Sequence, residues 1–115
     1  MATVPTRLTY EHDGKVVYEW EQSMDEVRVF VRPPAGVKAK ELRCDIAANR
    51  VTLGIRGNPP FLDAKPFGTV VTDASTWSLD AGVLEISLAK MRKAETWDAA
   101  FAGHGALDPV RKMDV

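Results

Sequence analysis

The feature that most constrains this chain is the alternation of apolar and polar residues in short runs, each ended by turn-forming residues. A period of two places successive side chains on opposite faces of a strand, so each run offers one face to a core and one to solvent. Val16–Ser23 sets Tyr18, Trp20 and Gln22 against Glu19 and Glu21. After a short turn at Met24-Asp25, Glu26–Arg32 sets Val27, Val29 and Val31 against Arg28, Phe30 and Arg32. Pro33-Pro34 closes that strand, since proline offers no ladder N–H, and Gly36 lets the chain turn. Glu41–Ala47 aligns Leu42, Cys44 and Ile46, and Arg50–Arg56 aligns Val51, Leu53 and Ile55. Ala48-Asn49 between them reads as a tight hairpin, because Asn tolerates positive φ. Phe61-Leu62, Phe67–Thr72 and Thr76–Leu79 read as shorter strands. After the Asp80-Ala81-Gly82 turn, Val83–Lys90 brings Leu84, Ile86 and Leu88 onto one face.

Seven or eight such strands predict an all-β fold, a compact antiparallel β-sandwich. One stretch reads as helix: Glu95–Phe101 contains helix formers, Trp97 and Phe101 share a face at i, i+4, and Gly103 and Gly105 terminate it. The expected organisation is a partly ordered N-terminal segment over 1–14, one domain over 15–102 and a flexible tail over 103–115. A chain of 115 residues buries roughly 65% of its unfolded surface, enough for a core without staples. No apolar stretch approaches the ~20 residues of a membrane span, and Met1–Tyr10 lacks the apolar region of a secretory signal. Fifteen basic residues against sixteen acidic ones give a net charge of −1, which supplies no general attraction to nucleic acid or anionic membrane. With Cys44 alone, no internal disulfide forms, which fits a reducing compartment. The expectation is a soluble, cytoplasmic protein.

Catalytic chemistry is hard to assemble from these residues. His12 and His104 fall in terminal or loop segments with no Cys, His or Glu at ligand spacing, so no metal is expected. Cys44 shares the inward face of its strand with Leu42 and Ile46, where a thiol behaves as a small hydrophobe. Asp63, Asp73 and Asp80 occupy turns, where carboxylates cap backbone N–H groups. Gly54-Ile55-Arg56-Gly57 imitates a G-x-x-G phosphate clamp, but such clamps lie between helices; here it reads as a strand running into a loop. No phosphate-binding, dinucleotide or nucleophile-elbow motif occurs. No cofactor is expected, and a small hydrolytic enzyme using Asp63 and Asp80 is the least favoured reading.

The aromatic residues say more. Tyr18, Trp20 and Trp77 read as core. Phe30 shares its face with Arg28 and Arg32, and two readings stand: a solvent-facing anchor between two guanidinium groups, or a ring packed beneath a loop or the N-terminal segment. Aromatic residues and arginine are the composition of protein–protein hot spots. Arg28, Phe30, Arg32 and Arg43 are therefore the candidate partner-binding surface. Trp97 and Phe101 form a second candidate, either a cap over the sandwich or an exposed hook. Lys38, Lys40 and the cluster Lys90, Arg92 and Lys93 read as solvated surface.

Tyr18-Glu19-Trp20-Glu21-Gln22-Ser23 with Asp25-Glu26-Val27 resembles the opening Y-x-W-x-Q-[ST]-x-x-E-V of CS domains in the NudC (nuclear movement protein) family. Four further segments follow in the family's order: Pro34–Leu42, Val51–Gly57, Ser75–Leu79 and Leu84–Lys90. Trp97 is similar to the tryptophan that follows the last strand in CS domains, including the small co-chaperones of the ninety-kilodalton heat-shock chaperone. The resemblance runs from about Val17 to Phe101. Ala64-Lys65-Pro66-Phe67 departs from the family's fifth strand, and Pro66 calls for an edge or bulge there. The N-terminal coiled coil of full-length NudC proteins is not present in this sequence. The resemblance implies a non-enzymatic co-chaperone or adaptor, with the ninety-kilodalton chaperone, client proteins and dynein-pathway proteins as partners. The alternative is an autonomous holdase for unfolded chains. Small heat-shock proteins of related fold assemble through an I-x-I/V tail motif that 106–115 lacks, so a monomer is expected.

Overall fold

The computed structural model describes residues 7–104. Eight strands run in chain order: β1 Leu8–His12, β2 Lys15–Gln22, β3 Glu26–Val31, β4 Leu42–Ala47, β5 Arg50–Ile55, β6 Leu62–Ala64, β7 Val70–Asp80 and β8 Val83–Lys90. They form two antiparallel sheets, one of five strands ordered β1-β2-β3-β8-β7 and one of three ordered β4-β5-β6. A single 3-10 turn, Ala39–Glu41, leads into β4. The all-β sandwich is the fold the alternation implies, and the inward faces are those it assigns. Tyr18, Trp20, Val27, Val29, Leu84, Ile86 and Leu88 pack against Leu42, Val51, Leu53 and Leu62 of the smaller sheet.

Strand ends follow local chemistry. Asp13 and Gly14 both take positive φ (54° and 76°), the turn whose twist matches a two-residue hairpin, and they fold β1 onto β2. Ser23 Oγ accepts from the N–H groups of Asp25 and Glu26, both at 3.2 Å, and tightens the β2–β3 turn. The β4–β5 hairpin at Ala48-Asn49 forms without positive φ at Asn49. The two short runs expected at Phe67–Thr72 and Thr76–Leu79 are one strand, β7, whose pairing with β8 slips between Val71 and Thr76. That bulge interrupts the alternation and makes one strand look like two.

The C-terminal segment departs from the helical expectation. Residues 91–100 run in bends and turns, and Phe101 makes an isolated antiparallel bridge with Pro66. Phe67 donates to the Ala100 carbonyl at 3.1 Å and Ala102 donates to the Lys65 carbonyl at 2.7 Å. Pro66 and Phe101 thus form a non-hydrogen-bonded pair, and the missing proline N–H leaves no gap in the ladder. Tertiary hydrogen bonds outweigh the weak helix propensity of a seven-residue segment. The sandwich takes in β1 at one end of the chain, and Gly103 and His104 fold back at the other; the rest of the 103–115 tail lies outside the described residues.

Ala81 sits at φ 50° in the β7–β8 turn beside Gly82 at φ 78°. A left-handed conformation costs a residue with a Cβ roughly 1–2 kcal/mol, and Asn tolerates it better. Ala81→Asn is expected to stabilise the domain by about 0.5–1 kcal/mol, raising the midpoint by roughly 3–6 °C in calorimetry. A lower midpoint would contradict this account of the turn.

Candidate functional site

Two concavities and one buried polar junction carry the chemistry of the surface. The first concavity, of about 590 Å³, lies on the outer face of the five-stranded sheet and includes Arg7, Glu19, Phe30, Arg32, Asp80 and Glu85. The Arg7 guanidinium stands 3.7 Å from the Phe30 ring centroid and bonds Glu19 at 3.1 Å and Glu21 at 3.3 Å. This cation–π cover leaves Phe30 only 9% exposed. Of the two readings of Phe30, the structure takes the packed one: the N-terminal segment covers it. Arg28 remains exposed but is committed to Glu26 at 2.7 Å. The Glu26 carboxyl is held below its usual range, first by the Ser87 hydroxyl that donates to it and then by Arg28. Arg32 is exposed and lines both concavities, and Arg43 is exposed and paired with Asp45 at 2.6 Å.

The second concavity, of about 350 Å³, opens at the end of the sandwich where β3 stops and β5 ends. Val31, Leu42, Leu53 and Leu84 form its floor, Pro33, Pro34 and Pro59 its walls, and Phe61 its lip.

The polar junction lies at the opposite end of the large sheet, around Lys90. Its ammonium is inside the protein, 2% exposed, and donates to Gln22 Oε1 at 3.0 Å, the Ser23 carbonyl at 2.7 Å and the Glu95 carbonyl at 2.5 Å. All three of its protons are therefore used, which makes burial of the charge tolerable. Burial pulls its pKa down from the ordinary lysine value. The Gln22 amide in turn grips the Trp97 backbone from both sides, accepting from its N–H at 2.9 Å and donating to its carbonyl at 2.8 Å. Trp97 Nε1 donates to Glu95 at 3.2 Å. A Cβ added to Gly68 would stand 2.7 Å from that indole nitrogen, so glycine is what admits the ring. The reading of Lys90 as solvated surface is corrected here, because its parity with Leu84, Ile86 and Leu88 turns it inward. Arg92 and Lys93 are exposed.

Trp97 and Phe101 are core residues, 1% and 0% exposed, so the structure takes the cap reading and not the hook. Phe101 meets the Tyr18 ring edge-on at 5.7 Å. Beside it, His104 stacks on Tyr10 at 4.0 Å and its Nδ1 lies 2.6 Å from the Tyr18 hydroxyl. The groups against the imidazole are thus two phenols, from β1 and β2, and Phe101. Burial lowers the His104 pKa and raises that of Tyr18.

The residues weighed for catalysis stand apart. Asp63 is on β6, bonded to Arg50 at 2.7 Å, while Asp80 ends β7 on the other sheet. Neither concavity brings either of them together with His12 or Cys44. Burial pushes the Cys44 thiol up to about 12, as expected for an inward cysteine. Among the described residues, no three His, Cys, Asp or Glu side chains gather where a metal ion could sit.

Arg7, Gln22 and Lys90 carry roles the sequence reading did not assign. Parity would have found Gln22 and Lys90, polar residues at inward positions near one end of a sheet. Asp13-Gly14, a strong hairpin signal, would have found β1 and with it Arg7.

The profile of the CS domain matches residues 16–90, which spans β2 to β8. The chain belongs to the CS domain family. It is 33% identical over 92 residues to Protein BOBBER 1 of Arabidopsis thaliana, covering 79% of this chain and 30% of that protein. It is 30% identical over 94 residues to human NudC domain-containing protein 2, covering 79% of this chain and 59% of that one. The solution structure of the CS domain of human KIAA1068 protein superposes with a TM-score of 0.68 at 24% identity, over 80% of this chain and 77% of that domain, a likeness of fold. The chain thus spans about a third to three fifths of these curated relatives. Among its described residues, no helix is long and apolar enough to cross a membrane.

Two outcomes follow for the junction and the clasp. Replacing Lys90 with Met leaves the part-buried Ser23 and Glu95 carbonyls without their donor, at about 1–2 kcal/mol each. Lys90→Met should therefore lose about 2–4 kcal/mol in urea titration, and a loss under about 0.5 kcal/mol would contradict the role. The lowered pKa of His104 means the unfolded state holds more protons below its value of about 6.5. Stability should then fall as pH drops from about 6.5, while the Glu26 and Asp63 carboxylates, also held low, enter only below about 4.5. His104→Phe should flatten the profile between those limits; an unchanged slope would rule out His104 as its source.

Proposed function

We propose that the chain is a non-enzymatic protein-binding module, a chaperone-type CS domain of NudC kind that works in the cytosol as co-chaperone or adaptor. The observation that carries this reading is the CS match across β2 to β8, together with curated relatives named as NudC domain proteins. The physical form of the molecule agrees with it. Two open sheets packed face to face leave outer faces, edges and an apolar groove, which suit protein partners better than a reacting small molecule. The ninety-kilodalton heat-shock chaperone, its clients and proteins of dynein-dependent nuclear movement are the partners this kinship suggests.

Within this reading Arg32, in no ion pair among the described residues, is the first contact cation, and Arg43, which must exchange Asp45 for a partner's carboxylate, is the second. Both are exposed, Arg32 beside the groove and Arg43 on the outer face of β4. Arg28, held by Glu26, is a weaker contributor on the larger sheet. Phe30, Trp97 and Phe101 serve from beneath by fixing the surface.

The test is direct binding to the purified ninety-kilodalton chaperone, with and without ATP, and to heat-unfolding citrate synthase, with light scattering as readout. The expected result is retention of the chaperone or suppression of client aggregation. An Arg32→Glu, Arg43→Glu double variant should associate more slowly and weaken binding about tenfold, with its thermal midpoint within about 2 °C of wild type. Binding to neither would overturn the reading. Large oligomers that suppress aggregation without engaging the chaperone would favour an autonomous holdase instead.

A further inference from the structure

The groove at the end of the sandwich is built for a particular kind of ligand. Its floor comes from both sheets: Val31 and Leu84 are cross-strand partners in the large sheet, and Leu42 and Leu53 face them from the small one. A volume of about 350 Å³ lies near the lower end of ligand-binding cavities, too small for a folded domain. Its walls are stiff, because Pro33, Pro34 and Pro59 have fixed φ and lack N–H groups. The proline positions cannot donate to an added strand, so recognition along them falls to side chains. The far wall is also set in height. An added Cβ on Gly54 would stand 3.1 Å from Pro60 Cα, so the Pro59-Pro60-Phe61 loop rests directly on β5. Phe61 is 57% exposed at the lip, an aromatic anchor left without a cover among the described residues.

Charge narrows the choice of ligand. The two loops that frame the groove run from 32 to 41 and from 56 to 61, and they carry Arg32, Lys38, Lys40 and Arg56 against the single carboxylate of Glu41. Glu41 is partly committed, since its carboxylate accepts the Lys38 backbone N–H at 2.9 Å. Arg56 Nε donates to the Lys40 carbonyl at 3.2 Å, which draws the two loops together. Among the described residues none of these four cations is in an ion pair. The chain as a whole carries −1, so the surplus of cations is local to these two loops; Arg32 lines the groove itself, and Lys38, Lys40 and Arg56 lie on the loops beyond its rim.

We infer that the groove docks a short linear peptide in which one or two bulky apolar side chains are flanked by Asp or Glu. The apolar residues seat between the proline walls, above the buried floor of Val31, Leu42, Leu53 and Leu84, and pack against Phe61, while the flanking carboxylates meet Arg32, Lys40 and Arg56. Burying the anchors supplies most of the affinity, and the cations select against basic segments and speed encounter. A nucleic acid strand has the right charge but no aliphatic group to place in the slot. The inference rests on the protein-binding reading above and specifies the ligand of one surface.

The test is titration of the full, isotope-labelled chain by NMR with the peptide Glu-Glu-Phe-Leu-Glu-Glu, acetylated and amidated, and with Lys-Lys-Phe-Leu-Lys-Lys. The acidic peptide should shift the amides of Val31, Gly54, Ile55 and Phe61 saturably, and the basic one should bind at least tenfold more weakly. Phe61→Ala and, separately, the Arg32→Glu, Arg56→Glu pair should each weaken the acidic peptide about tenfold or more, with the remaining spectrum unchanged. Equal binding of both peptides, shifts confined to the outer sheet face, or no shift at millimolar peptide would overturn the inference. So would the same amides moving on dilution, which would assign the groove to a second copy, or moving when the chain is cut after His104, which would assign it to residues 105–115. Preferential binding of single-stranded oligonucleotide at these amides would overturn it too. Failure of wild type to bind the peptide while it still binds the chaperone or client would sink the groove and leave the proposed function standing. Peptide binding without either partner would do the reverse.

Discussion

The ammonium of Lys90 is the point at which the molecule is tied together. It reaches from the end of the last strand into a site where water does not compete, and its three protons go to a side chain, a turn carbonyl and a carbonyl of the segment that follows. A buried charge left short of partners costs several kcal/mol, so any movement of the β2–β3 turn or of the 91–97 segment is opposed by that cost. Gln22 extends the tie. One amide group serves both Lys90 and the two backbone groups of Trp97, and the indole then closes over Gly68. The segment after the last strand is thus an integral wall of the sandwich.

This arrangement decides where partners can be met. Trp97 and Phe101 fill the core from the C-terminal side, and Arg7 covers Phe30 on the outer face, so the large aromatics that would make strong anchors are mostly spent on stability. Of the aromatics among the described residues, Phe61 at the lip of the proline-walled groove is the one left most open, more so than Phe67. In the function proposed, the module contributes a fixed surface to a protein partner. Its affinity comes from a few anchors and its selectivity from local charge. The polar network at one end and the apolar groove at the other are separated by the length of the strands, so a ligand in the groove need not disturb the tie.

Much of this was legible in the residues. Alternation located β2, β3, β4, β5 and β8 within a residue or two and assigned their inward faces, because a half-buried strand cannot hide its period. It failed where a second influence acted. The bulge near Val71–Thr76 cut one strand into two apparent runs. The helix expected at Glu95–Phe101 does not form, because the Trp97 N–H and carbonyl are both held by Gln22 and cannot also serve a helical ladder. At Lys90 chemical type and parity disagree: a lysine reads as solvated, its place in line with Leu84, Ile86 and Leu88 points inward, and parity is the better guide. Phe30 could not be decided from its own strand, since what covers it comes from Arg7 on a segment more than twenty residues away. The motif series that resembles NudC CS domains reached family and fold together; the groove, built by four separated segments, is visible only in three dimensions.

The claim that the Lys90–Gln22 tie makes the C-terminal segment part of the core is tested most directly by native-state hydrogen exchange of the Trp97 amide and its indole N–H. If the tie holds, both exchange only through global unfolding, with the same free energy as the amides of Val29 and Ile86 at the centre of the large sheet. Exchange of Trp97 through local opening, faster by two or more orders of magnitude than Ile86, would show the segment to be a detachable strap and contradict the account.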